Sequence, residues 1–150
     1  MAYSDEHWMR LALLEAREAS ERGEVPIGAI IVAGDRLIAK GSNLVETLKD
    51  ATAHAEMLAL GAAMQYYQSK YLADCTLYVT VEPCAMCMGA IRWSRIARVV
   101  YACSDPKAGY SVLAPRAPHP RCVIEQGLLE DEARDLMQTF FAKRRIERQG

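Results

Sequence analysis

The sequence predicts an α/β fold in which helices cover both faces of a mixed sheet. Three observations carry that expectation. An apolar β-branched run, Pro26 to Val32, is followed by a turn and a second extended run. Strand, helix and strand alternate between Thr76 and Ala102. Amphipathic helical stretches close both ends of the chain.

Taken in order, Ser4 or Asp5 can cap a first helix, whose apolar Trp8, Leu11, Ala12 and Ala16 recur at helical spacing up to Gly23. Pro26 to Val32 then reads as a strand, Gly34-Asp35 as its turn and Arg36 to Gly41 as the hairpin partner. Gly28 inside that strand predicts close approach of another backbone. A helix is expected from Thr52 to about Tyr67, with alanine, leucine and methionine on its buried side. Thr76 to Thr80 reads as a strand, Cys84 to Ser94 as a helix and Arg98 to Ala102 as a strand. Such a βαβ unit implies parallel strands and a right-handed crossover. Pro115 to Pro120 predicts no regular structure. A last helix, about Asp131 to Arg145, would bury Ala133, Leu136, Met137 and Phe140.

No repeat, low-complexity tract or linker interrupts the 150 residues, so a single domain over 1–150 is expected. With 51% apolar and 25% charged residues the composition is that of a soluble globular chain. The longest apolar stretch, Val25 to Gly34, is too short to span a bilayer, and no membrane association is expected. Asp5, Glu6 and Arg10 break any secretion signal at the start, which makes the cytoplasm the expected compartment. A net charge of −1 gives no general basic surplus of the kind nucleic-acid binders carry. The dense basic cluster is Lys143, Arg144, Arg145 and Arg148, readable as a charged helix end or as a phosphate contact.

Five cysteines, an odd number, point to free thiols or metal ligands in a reducing compartment. Pro83-Cys84-Ala85-Met86-Cys87 places two thiolates, two residues apart, at a helix start where ionised sulfur is favoured. A redox pair and half of a structural zinc knot are the alternatives. A structural site needs four protein ligands, and Cys75, Cys103 and Cys122 form no second pair; they read as small buried thiols. His7 and His119 read as non-ligands. His54 completes a three-ligand set with Cys84 and Cys87, which leaves a fourth position for water. One zinc ion (Zn2+) per chain is the expected cofactor.

Zinc lowers the pKa of bound water from about 15.7 towards roughly 7. Glu56, two residues after His54 at a helix start, is then placed to take a proton and return it to a ring nitrogen and a leaving ammonia. Taken alone it would read as a helix-capping glutamate. The pair H-x-E and P-C-x-x-C, in that order, is the signature of zinc nucleobase deaminases. The chain between the two halves is long enough for a helix and a returning strand, which brings both helix starts to one sheet edge.

From Trp8-Met9-Arg10 to Phe140-Phe141 the chain resembles the bacterial tRNA adenosine deaminases of the cytidine/nucleobase deaminase superfamily. The resemblance rests on Glu24-Val25-Pro26-Ile27-Gly28-Ala29, Thr52-Ala53-His54-Ala55-Glu56 and Leu77-Tyr78-Val79-Thr80-Val81-Glu82-Pro83-Cys84-Ala85-Met86-Cys87. It implies a three-layer α/β/α cytidine-deaminase-like fold and a homodimer with active sites near the interface. It also implies that Asn43 contacts the base, that Ile27 and Val81 wall the pocket, and that Asp105 lies on a substrate-facing loop.

The expected reaction is conversion of adenosine to inosine in a tRNA anticodon loop. Lys143, Arg144 and Arg145 would hold the stem-loop, Phe140 or Phe141 would stack, and Asp105 and Lys107 would face the substrate. Some segments depart from the tRNA enzymes. Tyr110-Ser111-Val112 replaces a small-residue run, Asp50-Ala51-Thr52 replaces Asp-Pro-Thr, and Ala90 to Arg95 is similar to a helix of free-base guanine deaminases. A free purine base or nucleoside is therefore the alternative substrate. A non-catalytic nucleotide- or RNA-binding zinc protein is the alternative of another class, against which Glu56 argues, because binding alone needs no proton shuttle.

Overall fold

Side-chain alternation along the strands sorts the core onto two faces of a five-stranded sheet of order β2-β1-β3-β4-β5. The computed structural model describes residues 2–149. In β1 (Gly28–Ala33), Ala29 and Ile31 face one helical layer while Ile30 and Val32 face the other. β3 (Thr76–Val81) sets Leu77 and Val79 against Tyr78, and β4 (Arg98–Cys103) sets Val99 and Tyr101 against Val100 and Ala102. These three strands are buried on both faces, which is why they read as nearly continuous apolar runs. α1 (Asp5–Glu21) and α6 (Glu130–Gln149) cover one face; α3 (Ala55–Tyr67) and α4 (Ala85–Ser94) cover the other. The expected three-layer arrangement is present.

Strand direction decides where the site forms. β1 runs antiparallel to both β2 (Arg36–Ser42) and β3, and β4 is parallel to β3. The C-terminal ends of β2, β3 and β4 therefore share one edge of the sheet, and the chain just beyond them carries Asn43, Cys84 and Asp105. Ligands of open α/β sheets bind outside strand ends of this kind.

Three short elements had no sequence signal: α2 (Val45–Leu48), α5 (Tyr110–Leu113) and β5 (Val123–Gln126). Four residues make one helical turn, too few for a periodicity, and β5 is an edge strand that leaves Val123, Glu125 and Gln126 exposed. Two boundaries also differ from expectation. α6 continues to Gln149. α3 starts at Ala55 and not Thr52, because Asp50 Oδ1 accepts the Thr52 amide at 2.8 Å and its hydroxyl at 2.7 Å, closing a turn. Pro115 to Pro120 lacks helix and strand, as expected. Among the described residues no helix is long and apolar enough to cross a membrane.

The close approach anticipated at Gly28 is that of α1. A Cβ there would lie 2.0 Å from the Ala12 carbonyl oxygen and 2.6 Å from the Ala16 nitrogen, both backbone atoms. Gly28→Ala should therefore push α1 off the sheet and cost about 3 kcal/mol, the upper part of the overpacking range, as read from the shift in urea midpoint.

Arg98 ties the start of α1 to two strands. It donates to Asp5 at 2.7 and 2.8 Å and to Glu125 at 2.8 and 2.9 Å, while the Tyr78 hydroxyl donates to Asp5 at 2.6 Å. The Arg98 hydrogen bonds hold the Asp5 carboxyl down at about 2, from an ordinary 3.8. A lowered carboxylate stabilises the fold above its unfolded pKa and loses that contribution as pH falls through the folded value. Asp5→Asn should therefore lower the thermal midpoint at pH 7, and its difference from the native chain should fade between pH 4 and pH 2.

Candidate active site

The side chains at two helix N-cap positions face each other here and cap neither helix. His54 is the N-cap of α3 and Cys84 the N-cap of α4; both have extended backbone and neither side chain bonds its own helix. The first helical hydrogen bonds, Leu58 N–H to His54 O at 3.1 Å and Met88 N–H to Cys84 O at 2.9 Å, leave both side chains free. Cys87 follows in the first turn of α4 and is fully buried. His54 Nδ1 lies 3.7 Å from Cys84 Sγ and 3.4 Å from Cys87 Sγ.

Those spacings can be tested against a metal. Zinc bonds of about 2.3 Å to sulfur and about 2.0 to 2.1 Å to nitrogen, at tetrahedral angles, put ligand atoms about 3.5 Å apart. The observed distances straddle that value, so the three residues fit one zinc ion. Among the described residues they are the one group of His, Cys, Asp or Glu with ligand atoms so close, all within 4.8 Å of one another. A closed four-ligand structural site is thereby disfavoured. Cys75 and Cys103 are buried thiols elsewhere, Cys122 packs beside the core, His7 stacks on Tyr3, and His119 accepts from the Arg121 amide.

The electrostatics favour an anionic Cys84. The hydrogen bond from Cys87, with help from His54, brings the Cys84 thiol down to about 4. The same bond to Cys84, together with burial, pushes Cys87 up. The bond to Cys84 likewise raises His54. The N-termini of α3 and α4 both point their positive ends at this cluster.

Glu56 lies in the first turn of α3, only 3% exposed. Burial pushes its carboxyl up to about 7. Among the described residues two fully buried side-chain oxygens lack a hydrogen bond: Glu56 Oε1 and Asn43 Oδ1. Buried acceptors are normally satisfied, so two orphans beside a metal cluster mark where a ligand's polar atoms belong. Asn43 is held there by its own N–H to Ile27 O at 3.2 Å, and Leu44 N–H to Ala53 O at 3.0 Å ties the same loop to the start of α3. Val81 is buried at the end of β3 and Ile27 is half-buried before β1.

Other anticipated residues divide. Asp105 Oδ1 accepts the Lys107 and Ala108 amides, each at 3.0 Å, so this carboxylate shapes its own turn; Lys107 is exposed. Phe140 is buried at 8% exposure, Arg144 stacks on its ring at 4.9 Å and also donates to the Gly23 carbonyl at the end of α1. Both therefore help to dock α6 onto α1. Phe141, Lys143 and Arg145 are exposed.

Sequence reading missed two buried carboxylates. Glu24 accepts the Glu46 and Thr47 amides at 3.0 and 2.7 Å and the Thr47 hydroxyl at 2.6 Å, fixing α2 beside Asn43. Glu82 accepts from Asp105 and Ser111. Their signal was available: each lies directly in a segment the family motif shares, but neither carried a role.

A three-ligand metal position beside a buried, protonatable carboxylate suits a zinc hydrolase that moves protons. A family model for the zinc-binding region of cytidine and deoxycytidylate deaminases matches residues 2–103, and the chain belongs to that family. It is similar to a tRNA-specific adenosine deaminase of Aquifex aeolicus (strain VF5), 46% identical over 145 residues that take in 93% of this chain and 95% of that protein. A solved structure from work on A-to-I editing by tRNA:A34 deaminases at the wobble position of transfer RNA superposes with TM-score 0.80 at 41% identity, covering 87% of this chain and 98% of that one. The guanine deaminase of Nitrosomonas europaea superposes equally well, TM-score 0.80, but at 26% identity, over 95% of this chain and 88% of that one. Zinc is the cofactor, and the chain is a zinc-dependent hydrolytic deaminase.

Proposed function

We propose that the chain converts adenosine to inosine in the anticodon loop of tRNA, with His54, Cys84 and Cys87 holding one zinc ion, Glu56 moving protons and Asn43 gripping the base. The observation that carries this reading is the metal cluster at a sheet edge that also holds, on α3 and on the loop tied to its start, the unpartnered Glu56 Oε1 and Asn43 Oδ1. When bound, zinc supplies a water acidic enough to attack near neutral pH. Glu56, titrating near 7, accepts the water's proton and passes it to N1 of the adenine ring as the oxygen adds to C6. It then takes the second proton from the C6 hydroxyl and delivers it to the exocyclic nitrogen, so that the C6–N6 bond breaks, ammonia leaves and the C6 oxygen stays as the inosine carbonyl. Asn43 holds the ring edge while Ile27 and Val81 exclude water from its faces.

The tRNA reading is supported by the names of the relatives and by a single-stranded loop's already unstacked base, which spares the enzyme much of the cost of extraction. Exposed Lys143 and Arg145, with Phe141 between turns of the same helix, offer phosphate and stacking contacts. A homodimer belongs to the same reading: Trp93 (79% exposed) and Met86 on α4, with Val112 and Leu113 on the neighbouring α5, are large apolar side chains left exposed. Five free cysteines suit the reducing cytoplasm. A free purine base is the second reading, favoured by the Nitrosomonas europaea likeness and by the Tyr110-Ser111 departure.

Deamination rates on an anticodon stem-loop, adenosine, adenine and guanine at one salt concentration decide between them. The stem-loop should react fastest; guanine fastest with the stem-loop inert would defeat the tRNA assignment and leave the zinc chemistry standing. Replacing Lys143 and Arg145 together should slow only the stem-loop reaction and flatten its log–log salt dependence by about 1 to 2. Arg144 is left intact because it also bonds the Gly23 carbonyl and packs on Phe140, so its loss would mix stability with binding.

A further inference from the structure

We propose that Glu82 is a positioning residue that clamps the Asp105–Ser111 segment onto the chain just past β3, at Pro83 and the α4 N-cap Cys84, and thereby shapes the entrance to the substrate site beside Cys84. Its carboxylate is only 4% exposed, yet among the described residues no ion pair reaches it. All of its partners come from one segment. Oε1 accepts the Asp105 amide at 3.0 Å; Oε2 accepts the Ser111 amide at 3.0 Å and the Ser111 hydroxyl at 2.6 Å. A buried carboxylate satisfied only by neutral donors holds those donors firmly, because releasing one leaves charge unsolvated.

Gly109 adds an independent sign of the clamp. Its backbone (φ −62°, ψ 153°) suits any residue, but a Cβ would meet the Glu82 carboxylate carbon and Oε2, each at 2.3 Å. Glycine is needed here for contact with Glu82, and conformation does not require it. The clamped segment also bonds the strand end that bears the metal ligand: Tyr110 N–H donates to Pro83 O at 2.8 Å, and Gly109 pairs with Cys84 as an isolated bridge. Glu82 thus joins both ends of a turn, preshaped by Asp105, to the backbone of Cys84. Loosening it should widen that entrance and weaken substrate binding more than the chemical step.

The test uses the zinc-loaded full chain, and its kinetic arm rests on the tRNA reading. Ser111 is exposed, so Ser111→Ala removes one donor without threatening the core. Its KM for the stem-loop should rise about tenfold, as expected for a hydrogen bond to a charged group, with kcat within about twofold. Ser111→Thr keeps the hydroxyl and should restore KM. In Glu82→Gln the amide NH2 replaces an acceptor facing a donor, so its effect should be non-additive with Ser111→Ala. Hydrogen exchange across residues 104–111 should quicken in Glu82→Gln and Ser111→Ala while zinc content stays unchanged. Unchanged exchange in both, additive effects, or a fall in kcat at constant KM would overturn the clamp. Quickened exchange in an enzyme inert on the stem-loop would uphold the clamp and reject the tRNA reading; KM is then read on the base that reacts.

Discussion

Glu56→Ala is expected to keep one zinc per chain and to lose turnover by about 10²- to 10⁴-fold, the usual contribution of a positioned acid–base group. The side chain bears no ligand role, since the metal spacing is complete with His54, Cys84 and Cys87. What disappears is the group that carries protons from water to ring and leaving nitrogen. Glu56→Gln is the sterically matched control and should be almost as slow, because an amide fills the same space without moving protons. The native rate should fall on the acid side of about pH 7, where Glu56 becomes protonated, and the positive charge of a bound metal should move that limb lower. Metal-free protein gives an opposite stability signature. A carboxyl raised by burial stabilises the fold below its unfolded pKa, and that contribution is lost as pH rises from about 4.5 through about 7. Glu56→Gln should abolish this dependence in a urea titration series. Near-native turnover in either variant, measured as ammonia release, would remove Glu56 from the mechanism.

Cys84→Ala should cost both metal and activity. It deletes the thiol that ionises most readily, leaving a half-buried imidazole and a buried thiol that resists ionisation. Metal binding requires deprotonated ligands, so affinity should fall further as pH drops, and protons should be released on loading. Zinc per chain, measured by elemental analysis after dialysis, should fall from one to near zero with turnover at background. The thermal midpoint should also fall, because the two helix starts lose the ion that joins them. Cys75→Ala is the contrast: its thiol is buried far from any ligand set, and zinc should remain at one per chain. Full zinc in Cys84→Ala with zinc lost in Cys75→Ala would reverse the ligand assignment.

The sheet and its main helices were legible because their signals are long: β1, β3 and β4 are apolar on both faces, and α1 shows helical spacing over many turns. The metal ligands were legible because cysteines two apart at a helix start have few other uses. Glu24 and Glu82 were not, since a carboxylate reads as surface until the fold shows that it is buried and what it accepts. Phe140 and Arg144 had a packing role that was hidden for the converse reason. A basic–aromatic cluster looks like a nucleic-acid contact, and only the packing of α6 on α1 reveals that two of its members hold helices together. β5 escaped because an edge strand with exposed Val123, Glu125 and Gln126 carries no alternation.

Hydrolysis of an adenosine in an anticodon loop at the His54, Cys84 and Cys87 centre is tested most directly by running the zinc-loaded enzyme on a stem-loop in heavy-oxygen water and analysing the nucleosides by mass spectrometry. Hydrolysis should give inosine carrying one heavy oxygen at C6, with one ammonia released per inosine, and both products should form at least about 10²-fold more slowly with Glu56→Gln. Unlabelled inosine, or a stem-loop returned unchanged while the enzyme holds its zinc, would contradict it.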